Sequence, residues 1–145
     1  MSTTKVSRRS DQRRSAVFAL YQQDLTGRSL DEVFERDTAG FTKALAHATE
    51  DHREELDAHI ARHAQGWSLE RIAPLERAIL RTALLEMLHP DVTEGEKPLP
   101  PEGAISEAVE TTKEFCAAQA PGFVNGILGS VLTELRQEGT LDERG

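Results

Sequence analysis

A chain of 145 residues, 38% apolar and 29% charged, is long enough for one domain with a real core and is ordinary in composition for a soluble protein. Cys116 is its only cysteine, which excludes an internal disulfide and a cysteine-based metal centre; with no basic-then-apolar leader and no bilayer-length apolar run, the expected place is the cytoplasm. The net charge of −8 opposes nucleic acid overall, yet residues 1–14 set Lys5, Arg8, Arg9, Arg13 and Arg14 against Asp11, a local +4 that leaves −12 on the other 131 residues.

Residues 1–7 show no period and read as a flexible basic arm. A first helix is predicted over about 8–26, with Ala16, Val17, Leu20, Tyr21 and Leu25 as its buried stripe and Gly27 as its stop. Arg9 and Arg13 stand four apart on one face of its first turns, where cations oppose the helix dipole and a bound anion would relieve them. SLDE at 29–32 is a capping-box pattern opening a short helix with Leu30, Val33 and Phe34 inward. From 38 to 66, Phe41, Leu45, Ala48, Leu56, Ile60 and Ala64 recur at helical spacing around a polar patch at 49–55, which fits one long helix or two with a bend. Trp67, after Gly66, is expected to plug the core between the two halves, and Ser68 to cap the turn LERI.

The stretch 75–88, LERAILRTALLEML, is apolar on nearly every face and belongs at the centre of a bundle. Pro74 suits its first position and Pro90 stops it. Arg81 lies between leucines, so a covered stem and a guanidinium reaching a carboxylate or a helix C-terminus are expected. Residues 90–101, rich in proline, read as an exposed loop. Helix returns near Glu102, with Ile105, Ala108, Val109, Thr112, Phe115 and Cys116 inward. After Pro121 the period is clear through Val124, Ile127, Leu128, Val131, Leu132 and Leu135, ending at Gly139. Gly126 and Gly129, costly in a helix, suggest close approach of a neighbouring backbone. Nothing alternates like a strand, so the fold class is all-α.

The chemistry of catalysis is missing. Glu55, His59 and His63 share a helix face at i, i+4 and i+8, but no HExxH and no fourth ligand accompany them, so no metal is expected. Glycine-rich phosphate loops are absent, Cys116 sits on an apolar stripe, and no nucleophile is paired with a base. The expectation is a protein that is not an enzyme and carries no cofactor.

Three blocks, RRSAVFALYQQDL at 13–25, LERAILRTALLEML at 75–88 and AISEAVETTKEF…PGFVNGILGSVL at 104–132, resemble in order and spacing the NusB family of bacterial transcription antitermination factors. The resemblance spans about 8–136, and FVNG at 123–126 is its most specific piece. It implies two small helical bundles packed roughly perpendicular in one domain over about 8–140, with sub-bundles near 8–66 and 67–140. It also implies binding to NusE, a ribosomal small-subunit protein, joint recognition of the single-stranded boxA RNA element, and entry into an antitermination complex on RNA polymerase. Carried over by position, Arg9 and Arg13 match the family's arginine-rich start, with Arg8 and Arg14 beside them. Tyr21 and Phe123 match aromatic residues near the RNA, and Glu76 an acidic residue at the contact with NusE and RNA. The chain departs from the family pattern at Ser10 and Asp11, at Ala117, Ala118 and Gln119 ahead of the motif, at Gly122, and in the longer loop at 90–101.

Arginines neutralise phosphates and aromatic rings stack on unpaired bases, so these residue types suit a small RNA site on an acidic body that gains from a basic partner. Two other readings compete. One is a NusB-like RNA-binding domain serving ribosomal RNA methylation, against which the lack of a methyltransferase domain after Gly145 weighs. The other is a helical module that binds only proteins, or itself as a homodimer.

Overall fold

The computed structural model describes residues 8–93 and 99–139. The expected arm at 1–7, the middle of the 90–101 loop and residue 140 lie outside them. The described residues form α1 (Arg9–Thr26), α2 (Leu30–Val33), α3 (Gly40–Asp51), α4 (Arg53–His63), α5 (Pro74–Leu88), α6 (Pro101–Phe115) and α7 (Ala120–Gln137). Short 3₁₀ turns stand at Leu69–Arg71 and Pro90–Val92, and there is no strand among the described residues. The fold is all-α. None of the described helices is long and apolar enough to cross a membrane.

Helix α5 is the axis. Every residue from Ala78 to Leu85, and Met87, is buried, as a helix apolar on all sides requires. It packs against α1, α3 and α4 on one side of the chain and α6 and α7 on the other. α4 also touches α7, so contacts cross the expected division at 66. Pro74 occupies the first turn of α5, and Pro101 opens α6 in the same way.

Local signals explain the ends. Gly27 takes the left-handed conformation (φ 74°) and its N–H returns to the Gln23 carbonyl at 2.8 Å. Ser29 and Glu32 form the reciprocal capping box. The stretch at 38–66 resolves into two helices that meet at His52 (φ −102°, ψ 14°), inside the polar patch where no apolar period holds one straight axis.

Five expectations fail, each for a spatial reason. Trp67 is 52% exposed and plugs nothing, because the chain turns outward through Gln65 and Gly66, both at positive φ. Leu25 is exposed at the last turn of α1, and Phe115, at the last turn of α6, meets α1 only with the edge of its ring and leaves the rest to solvent. Ser68 makes no capping bond with its side chain. A Cβ at Gly126 or Gly129 would meet nothing within 4 Å, so no backbone approaches α7 there.

The expectation for Arg81 holds. Its Nε and Nη2 donate to the two carboxylate oxygens of Asp57 on α4 at 2.6 and 3.1 Å, and its Nη1 lies 3.7 Å from Asp24 on α1. Arg77, one turn earlier, donates to Asp24 at 2.9 Å and to the Leu69 and Ile72 carbonyls at 3.1 Å. Burial pushes the Asp24 carboxyl up, but Arg77, Arg81 and Arg53 outweigh it and hold it below its ordinary value. Removing one partner of such a network strands a buried charge. We expect Arg81→Ala to cost on the order of 3 kcal/mol in urea unfolding. A loss below about 1 kcal/mol would show that the pair does not hold α4 to α5.

Candidate nucleic-acid interface

The first turns of α1 carry the cations. Arg8 is the exposed, extended residue ahead of the helix. The Arg9 guanidinium carbon sits 4.1 Å from the centre of the Phe41 ring, and that of Arg13 lies 5.3 Å from the same ring. Phe41, in the first turn of α3, thus gathers the two arginines that helical spacing put on one face. Arg9 also bonds to Gln12 and borders a groove of about 740 Å³ between α3 and the turn after α5, lined by His52 and Asp91 among others.

Arg13 and Arg14 turn inward. The Nε of Arg13 donates to both Glu86 oxygens at 3.0 Å, with only 11% and 10% of the two side chains exposed. Burial raises the Glu86 carboxyl above its ordinary value; Arg13 opposes that shift and Glu107 reinforces it. Arg14 pairs with Glu114 at 2.8 Å, and its guanidinium carbon stands 5.9 Å from Phe115, which in turn meets Phe18 edge-on at 5.0 Å. Two of the four arginines are therefore already matched by carboxylates of α5 and α6.

The aromatic candidates lie apart from that cluster. Tyr21 is half-buried on α1, eight residues and so about 12 Å beyond Arg13 along the helix. Among the described residues, neither a ring nor a guanidinium stacks on it. Phe123, half-buried in the first turn of α7, packs on the core and meets Trp67 edge-to-face at 6.1 Å. Trp67, Phe123, Gly122 and Gly126 line one shallow trough of about 340 Å³. The bare glycines leave the outer backbone of α7 open beside two rings.

Glu76, in the first turn of α5, is half-buried and makes no hydrogen bond or ion pair among the described residues. Burial raises its carboxyl above the ordinary 4.5. Its charge, after burial, also pushes up the Cys116 thiol, which disfavours the reactive thiolate. A carboxylate held at the surface without a counter-charge is what a basic partner would meet.

Glu55, His59 and His63, which share one face of α4, do not converge on one another. His63 bonds to Glu134 at 3.1 Å, and Glu55 reaches His89 at 2.7 Å instead.

The NusB family model matches residues 10–133. The chain belongs to the NusB family. A transcription antitermination protein NusB of Symbiobacterium thermophilum is 36% identical over 148 aligned positions, covering 90% of this chain and 93% of that protein. A solved NusB of T. maritima superposes with a TM-score of 0.76 at 25% identity, covering 93% of this chain and 99% of the other. A NusB crystallised with NusE and double-stranded RNA gives a TM-score of 0.72 at 26% identity, over 87% of this chain and 96% of that one.

In this NusB-family chain, the sequence reading did not place Phe41, Glu86, Glu114 or Trp67 at the site. A helical signal marks the arginines, but their partners are 28 to 100 residues away and carry no local mark. Two outcomes follow from the geometry. Arg13→Ala should cost on the order of 3 kcal/mol, and much less in a Glu86→Gln background, since a neutral amide tolerates the loss; equal costs in both backgrounds, by urea unfolding, would mean the pair is not coupled. Glu76 gains no partner and its carboxyl is raised on folding, so it weakens the fold once pH rises past its unfolded value near 4.5 and through its folded one. Glu76→Gln should therefore raise Tm at pH 7 and leave it unchanged near pH 3; a lower Tm at pH 7 would reveal a stabilising partner.

Proposed function

We propose that this chain is an RNA-binding antitermination adaptor which, with NusE, binds the single-stranded boxA element of ribosomal RNA operon transcripts and helps RNA polymerase read through terminators. It performs no catalysis on this reading and needs no cofactor. The observation that carries the proposal is the likeness, over most of both chains, to a NusB solved together with NusE and RNA.

The site residues fit the roles the resemblance gives them. Arg8 and Arg9 stand at the open end of α1 and meet phosphates. Arg13 and Arg14 share their charge with Glu86 and Glu114, so they add less to phosphate binding and more to holding the end of α1 in place. Tyr21 and Phe123 offer half-exposed rings to unpaired bases. Glu76 receives a cation of NusE. The RNA in the related complex is double-stranded, whereas ring stacking favours a single strand.

A titration of labelled single-stranded boxA RNA, its scrambled form and a boxA duplex, with and without NusE, separates these choices. NusE should tighten boxA binding by about 5- to 150-fold; equal binding of the scrambled strand would refute sequence reading. Arg9→Ala should lower the log–log salt slope by about 0.7, and an unchanged slope would move the phosphate site off α1.

A further inference from the structure

Across the groove that Arg9 borders, one cluster of ligating side chains is formed by the kink between α3 and α4. His52 stands at that junction, Glu55 lies three residues on, and His89 closes α5. One ligand atom from each lies within 4.8 Å of the others. We propose that His52, Glu55 and His89 bind one zinc ion, with water in the fourth position.

Five observations support the site. The Nδ1 of His52 faces the Ala48 carbonyl at 2.9 Å; donating there leaves the lone pair on Nε2, the outer-shell arrangement that orients zinc-bound histidines. The Nε2 of His89 already meets a Glu55 oxygen at 2.7 Å, with a proton where the metal would sit. The His52 and His89 rings lie 4.2 Å apart at 35°, close enough for one cation to take a lone pair from each. Arg53, between His52 and Glu55 in sequence, turns away to Asp24 and Asp57 and leaves the Glu55 charge to a cation. Asp51 and Asp91, lining the groove beside His52, add negative potential.

Two imidazoles and one carboxylate form a zinc donor set; magnesium and calcium prefer oxygen alone. The ligands come from the α3–α4 junction and from the C-terminal end of α5, so the ion ties the kink to the central helix. This set differs from the Glu55, His59 and His63 set that helical spacing suggests, because His89 comes from 34 residues away. The inference does not depend on the RNA reading.

The test is calorimetric titration of the full chain, without a histidine tag and with Cys116→Ser, using zinc chloride alone, alongside thermal melts. We expect saturable one-to-one binding and a raised Tm. His89→Ala and Glu55→Gln should each weaken binding by more than the roughly 10- to 100-fold that loss of an outer-shell partner costs, and His59→Ala should leave it unchanged. Glu55→Gln lies on an exposed turn and keeps its shape, so it decides the matter if His89→Ala folds poorly. No saturable heat in the parent, or binding indifferent to Glu55→Gln, would overturn the site and leave a simple ion pair.

Discussion

The structure depends on two opposite ion-pair clusters that clamp α1 against the central helix. Near the start of α1, Arg13 donates to Glu86 of α5; near its end, Asp24 accepts from Arg77 and lies beside Arg81. The helices therefore run antiparallel, and the sign of each partner reverses between the two ends. Eleven residues of α1 and nine of α5 separate the clusters, a span of about 14–16 Å. Sliding one helix along the other by a turn would break both pairs and leave buried charges unmatched, which costs far more than a misplaced methyl group. Apolar packing gives α5 its central place, and these charges give α1 its register on it.

That clamp has a consequence for the site. Of the four arginines that open α1, Arg13 is consumed by Glu86 and Arg14 by Glu114. The basic character left to α1's open end is smaller than the sequence count suggests, and it stands on a chain whose remaining residues are strongly acidic. A small cationic end binds RNA weakly and with a shallow salt dependence. The uncompensated Glu76 at the start of α5 and the two rings beside bare glycines at the start of α7 complement that weakness, since they suit a second protein and unpaired bases in place of more phosphate contacts.

Much of the fold was legible because helices are local. The stripe from Val124 to Leu135, the capping box at Ser29 and the stop at Gly27 each rest on residues within a few positions of one another, and the structure keeps them. Arg81 was legible too, because a charge among leucines must find a partner. What could not be read was which surface each helix end meets. Trp67 and Phe115 are large and apolar, so burial was the natural expectation, yet both sit where the chain leaves its packed helices. Gly126 suggested a crowded backbone and instead marks an open one. The partners of Arg13 and of Glu55 come from elements 73 and 34 residues away, beyond any spacing rule.

Amide hydrogen exchange on the free chain, and on the chain with NusE and boxA RNA, tests the clamp and what it presents in one measurement. The account requires residues 13–24 of α1 to exchange as slowly as α5 in the free chain, through global opening alone. It requires added protection from RNA and NusE to fall on the turn ahead of Arg13, the start of α5 around Glu76 and the start of α7 around Phe123. Fast local exchange across 13–24, or new protection confined to α4, would contradict it.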